Sequence, residues 1–85
     1  MQIHVTELKQ ARDRLMRVQG QLLGIVRMID EGRDCTELLT QLAAANTALQ
    51  RAGFNIVSRA MEKCVHEPAE SENRKALEKA FMSLV

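Results

Sequence analysis

The 85-residue sequence has no tryptophan and no tyrosine, and only two phenylalanines, one proline and four glycines. So few aromatic residues and turn formers leave strands and hairpins without their usual material. What remains, chiefly Ala, Leu, Glu, Arg, Lys, Gln and Met, favours helix. No apolar run approaches the ~20 residues of a membrane span. The N-terminus also lacks a basic segment leading into an apolar stretch and a cleavage site, so a cytoplasmic protein with no membrane partner is expected. Charge of one sign is scarce too: twelve Lys and Arg against eleven Asp and Glu leave a formal net charge of +1, too little for nucleic-acid binding over the whole surface. The chain has two cysteines. In a reducing compartment these are expected to serve chemistry or metal binding, not a permanent staple.

A chain this short buries only about 60% of the surface that its unfolded form exposes, so a single domain over residues 1–85 is expected to need partners. From Leu8 the apolar positions Leu8, Ala11, Leu15, Val18, Leu22, Ile25 and Ile29 step by three and four, predicting a long amphipathic helix with Thr6 as its cap and Gly32 as its stop. Asp34 and Glu37 have capping-box spacing before a second periodic run, Cys35, Leu38, Leu42, Ala45, Leu49, Ala52 and Ile56, continuing to Cys64. After His66, Glu67 and Pro68, the positions Ala76, Leu77, Ala80, Phe81 and Leu84 predict a short third helix. The fold class is therefore all-α: two long antiparallel helices and a short C-terminal one. A helix of about 31 residues is about 46 Å long, and one short helix cannot cover two of that length. The missing surface is expected from other copies, as a helical bundle of two or more protomers.

Cys35 and Cys64 are 29 residues apart, nearly a whole number of helical turns, so on one helix they share a face about 43 Å apart. An intrachain disulfide, which needs Cα atoms roughly 4.4–6.8 Å apart, is excluded on an unbroken helix. Two copies packed antiparallel bring Cys35 of one chain to Cys64 of the other. Cys35 follows the cap, where unpaired amides and the positive end of the helix dipole favour an anion, which makes it the candidate nucleophile and Cys64 the resolving thiol. Met16, Met28, Met61 and Met82 fit core filling. His4 and His66 are expected to be solvated.

The segment Arg14-Leu15-Met16-Arg17-Val18-Gln19-Gly20-Gln21, followed by Gly24, Ile25 and Met28, with Cys35, Leu39-Thr40-Gln41-Leu42 and Cys64 behind it, resembles the copper-sensitive operon repressor family of small bacterial regulators, the CsoR and RcnR type. That resemblance covers nearly the whole chain. It implies a three-helix protomer, a homodimer assembling into a disc-shaped homotetramer, and a DNA-binding repressor that leaves its operator when an inducer occupies the thiol site. Copper sensors of the family hold Cu(I) through Cys, His and Cys, with the His four residues before the second Cys, and that position here is Ala60. A cysteine pair without the imidazole resembles instead the persulfide-sensing, CstR-like branch, in which reactive sulfur species cross-link the two thiols between protomers. No cofactor, resident metal or enzyme activity is expected. Two thiolates taking Cu(I), or a structural helical adaptor without DNA, are the rival expectations.

Between Lys9 and Arg27 five basic residues face the single acid Asp13, while the tail from Glu62 to Lys79 has five acids against four bases. Arg14, Arg17 and Gln21 form one polar stripe beside the apolar seam. The resemblance carries DNA contact to these three and, in second place, to Lys9 and Arg51.

Overall fold

A computed structural model describes all 85 residues. Three α-helices account for most of the chain: α1 (Lys9–Asp30), α2 (Cys35–His66) and α3 (Arg74–Met82), with 3-10 turns over Val5–Leu8 and Pro68–Asn73 and no strands. The two long helices and the short third one fall where the apolar spacing places them.

The helix boundaries follow from local chemistry. Gly32 takes φ +68°, its N–H donates to the Ile29 carbonyl, and the Arg33 N–H donates to Met28, so the last carbonyls of α1 are satisfied by a left-handed residue that glycine adopts without strain. Two residues on, the Asp34 carboxylate accepts the N–H groups of Thr36 and Glu37 and starts α2. The reciprocal half of the capping box is absent, because the Glu37 carboxylate pairs with Arg33 instead. At the other end of α1 the expected Thr6 cap is not made. His4, in extended backbone, accepts the Thr6 N–H through Nδ1 at 3.3 Å, and the resulting 3-10 turn leads into α1 at Lys9 with no side-chain cap. Glu67 is extended ahead of Pro68, as the ring requires of its predecessor, and α2 ends there.

Gln10 and Ala11 lie beside Asn55 and Ser58, and Arg17 and Gln21 beside Ala44 and Ala48, so α1 and α2 run antiparallel. The seam is made of small residues. Ala11 and Val18 of α1 meet Ala45, Ala52 and Ala60 of α2, and these five with Cys64 are the only buried residues. α3 folds back on α2, where Phe81 meets Phe54 edge-on at 6.4 Å and Leu84, just past the helix end, lies against Gly53.

The protomer is a slab of 53 × 24 × 13 Å, about one helix thick. Its radius of gyration of 16.3 Å exceeds the ~12 Å of a compact chain of this length. Its surface of 6602 Å² exceeds the roughly 5,100 Å² expected at 9.6 kDa. Leu15, Leu22 and Val26 of α1 and Leu39, Leu42 and Leu49 of α2 therefore stay exposed despite their periodicity. Met16 and Met82, expected as core fillers, are exposed as well, since they lie on outer faces that a single helical layer cannot cover. Met28 and Met61 are half-buried.

Candidate functional site

The thiols occupy the two ends of α2. Cys35 is its first residue, beside the Asp34 cap, and is exposed; Cys64 is two residues before the end and buried. No break occurs between them, so they remain about 43 Å apart in one protomer and within about 20° of the same helical face. Ala60, one turn before Cys64 on that face, is also buried. His66 is exposed, and His4 is engaged at its own turn, where Nδ1 lies 2.8 Å from the Thr6 hydroxyl. No three His, Cys, Asp or Glu side chains of the protomer gather to hold a metal ion.

A second feature lies across the seam. Arg14, Arg17 and Gln21 of α1 and Ala44, Thr47, Ala48 and Arg51 of α2 line one open concavity of about 450 Å³. Positions 14, 17 and 21 step by three and four along one edge of α1, and positions 44, 47, 48 and 51 do the same on α2, so the antiparallel seam sets the two stripes side by side. Arg14 and Arg51 extend into an adjoining concavity of about 530 Å³ that Phe54, Asn55, Phe81 and Leu84 help to line. Arg17 and Arg51 are exposed there, and Arg14 is half-buried.

Lys9, Arg33, Arg59, Lys63 and Arg74 each have an ion-pair partner, whereas Arg14, Arg17 and Arg51 have none. Arg12, Arg27, Lys75 and Lys79 are unpaired too, so it is the gathering of three unpaired arginines in one concavity that distinguishes this place. Their charge is thus available to an anion. Lys9 falls outside the concavity, at the start of α1, with Nζ 3.4 Å from the Asp13 carboxylate. Four of the five residues expected at DNA therefore come together and Lys9 does not. Thr47 and Asn55 were not singled out from the sequence, although their helical phase with Arg51 places both on its stripe.

The thiol face and the arginine face of α2 point away from each other. Arg51 is about 140–160° around the helix from Cys35 and Cys64, so nothing bound at the thiols touches the concavity of the same chain directly. The body of α2 lies between them.

Residues 7–84 match the family described as "Metal-sensitive transcriptional repressor". Among curated proteins, the chain is similar to the copper-sensing transcriptional repressor RicR of Mycobacterium tuberculosis, 42% identical over 52 residues, a stretch that is 61% of this chain and 54% of that protein. It is also similar to the uncharacterized protein YrkD of Bacillus subtilis, at 49% identity over 43 residues, 51% of this chain and 68% of that one. The copper-sensing transcriptional repressor CsoR of Bacillus subtilis is 29% identical over 65 residues, 76% of this chain and 64% of that protein. The matched stretches thus span little more than half of RicR and under two thirds of CsoR. No solved structure matches the chain.

Proposed function

The chain belongs to the metal-sensitive transcriptional repressor family, and from that premise we propose that it holds operator DNA while its thiols are reduced and releases it when a persulfide joins Cys35 of one chain to Cys64 of another. The observation that carries the DNA half is the concavity where unpaired Arg14, Arg17 and Arg51 converge with Gln21. A net charge of +1 does not make a DNA-binding surface, but a local cluster repeated in every copy of an oligomer does. Phosphates lie against these guanidinium groups, with Lys9 at the margin, and affinity falls steeply with salt.

The protein functions as one domain assembled into a homodimer and from it a homotetramer. The exposed leucines of α1 and α2 are the surface that assembly covers. Antiparallel α2 helices of two chains bring each Cys35 to Cys64 of the partner subunit, giving two dithiol sites per dimer.

Ala60 favours a sulfur inducer. Standing between the thiols on their shared face, it offers a methyl group where a third metal ligand would need an imidazole, so a trigonal Cys, His, Cys set does not fit this chain. The chemistry of two thiols and a persulfide closes without other reagents. The Cys35 thiolate attacks the sulfane sulfur of the persulfide, the S–S bond breaks, and the carrier leaves as a thiol. The partner's Cys64 thiolate then attacks Sγ of Cys35 and expels hydrosulfide, so two protein thiols are oxidised to a disulfide and the persulfide is reduced to thiol plus sulfide. Because the thiol face of α2 points away from Arg51, the signal passes through α2 itself: the bridge shifts the packing of the two helices and moves the arginine stripes relative to each other.

A second inducer, Cu(I), is favoured by the copper-sensing names of RicR and CsoR. Two thiolates from different chains suffice for linear coordination of a soft monovalent cation. Titration of reduced protein against promoter DNA, repeated with a persulfide donor and separately with Cu(I), decides between them. Release by persulfide alone, with an interchain Cys35–Cys64 link in non-reducing mass spectrometry, is the expected result. Release by copper alone sinks the sulfur reading.

A further inference from the structure

Two buried side-chain polar atoms have no hydrogen-bond partner: Nε of Arg14 and Oδ1 of Asn55. One is a donor and the other an acceptor. Both residues are half-buried and both line the 530 Å³ concavity, reaching it from α1 and α2 respectively. Asn55 also lines the neighbouring concavity with Gln10 and Ala11, the α1 residues one turn before Arg14, which puts it at the ridge between the two spaces. Buried polar groups are normally satisfied, and complementary orphans facing one seam are natural partners.

We propose that Asn55 is a positioning residue for the DNA-contacting arginine: the two groups, not bonded to each other in the free protomer, join when DNA is held, the Asn55 side-chain carbonyl taking the Nε–H of Arg14 and so aiming the two Nη groups of the guanidinium into the groove shared with Arg17 and Arg51. The residue type suits this role. An arginine has five N–H donors in a planar fork, and fixing the Nε edge leaves the two terminal groups for a bidentate phosphate contact. A carboxylate in the same place would hold the fork equally well but cancel its charge. The neutral amide orients without neutralising. Lysine lacks an Nε, so the effect is specific to arginine at position 14.

The inference rests on the proposal that this groove binds DNA, and a double-mutant cycle separates the two. Operator affinity is measured at fixed salt for wild type, Asn55→Ala, Arg14→Lys and the double variant, with thermal melts of each. Loss of one oriented hydrogen bond predicts that Asn55→Ala weakens binding about five- to tenfold in the wild-type background and leaves affinity unchanged when Lys occupies position 14. Melting temperatures stay close together, because an apolar group replaces an atom that packs in the seam. An equal loss in both backgrounds, or no loss in either, overturns the positioning role. Should Arg14→Ala itself leave DNA binding intact, the groove proposal falls and takes this one with it.

Discussion

Cys35 and Cys64 stand at opposite ends of one unbroken helix, on nearly the same face, the first exposed and the second buried. The length of unbroken α2 excludes their pairing within one chain, and the proposed cross-link is intermolecular. Cys35→Ala and Cys64→Ala should therefore each bind operator within about twofold of wild type, since neither touches the arginine groove, yet neither should release it on persulfide treatment. Mixing the two variants tests the geometry: hybrid dimers retain one complete Cys35 and Cys64 pair and should show one interchain link per dimer by mass spectrometry. A disulfide between two Cys35 residues in place of the mixed pair would refute the antiparallel arrangement.

Leu49 lies on the open side of α2, 43% exposed in the protomer, and Leu22 of α1 is 47% exposed. A slab 13 Å thick has no interior for either, and the proposed assembly places both in the interface between copies. Leu49→Glu places a carboxylate there, and burying an unpaired charge costs several kcal/mol. Sedimentation should show loss of assembly and circular dichroism a loss of helicity. A wild-type chain that sediments as a fully helical monomer at micromolar concentration would contradict the oligomer.

The sequence made the helices legible because their apolar residues keep a strict three-four rhythm and their ends carry Gly32, Asp34 and Pro68. The start of α1 departs from the expected Thr6 cap because His4 caps a 3-10 turn ahead of it and α1 itself begins without a side-chain cap, and a histidine before a 3-10 turn has no strong local signature. Met16 and Met82 depart from the core-filling expectation because periodicity identifies an apolar face without saying whether the same chain covers it. The groove was half legible: Arg14, Arg17 and Gln21 share a stripe readable from α1 alone. The places of Thr47, Arg51 and Asn55 beside them depend on the register of the seam, set by Ala11, Val18, Ala45 and Ala52 packing across it.

Salt dependence reads the groove directly. Each phosphate neutralised adds about 0.9 to the slope of log affinity against log salt. Arg14→Ala, Arg17→Ala and Arg51→Ala should each lower that slope by about 0.9 for every copy of the side chain that meets DNA. Lys9→Ala, at a residue paired with Asp13 outside the concavity, should leave it within error. A slope insensitive to all three arginines would move the DNA to another face.

The corner between α1 and α2 is held by Gly32 and Asp34. Gly32→Ala puts a Cβ on a residue at φ +68°, and Asp34→Ala removes the acceptor for two amides of the first turn of α2, so each should lower stability by about 1 kcal/mol in urea melts. Asp34→Ser should recover most of the second loss, since serine also caps. Full stability in Asp34→Ala would mean that the cap is redundant with the Arg33 and Glu37 pair beside it.

Gly53 presents two opposing effects at one position. Glycine inside a helix is less stable than alanine by about 0.5–1 kcal/mol, so Gly53→Ala on its own merits should stabilise α2. A Cβ at this position, however, runs into Cδ1 of Leu84, whose side chain is laid on the glycine. Leu84 is half-exposed just beyond α3, so its tip can swing aside, but only by giving up the contact that ties the C-terminal segment to α2. The two effects should nearly cancel, leaving Gly53→Ala within about 0.5 kcal/mol of wild type. In a Leu84→Ala background the obstruction is gone, and the same substitution should then deliver the full helix gain of about 0.5–1 kcal/mol. The difference between the two backgrounds, read from chemical denaturation, measures how tightly α3 is held. Identical effects in both would mean that Leu84 does not rest on Gly53 in solution and that the third helix docks elsewhere.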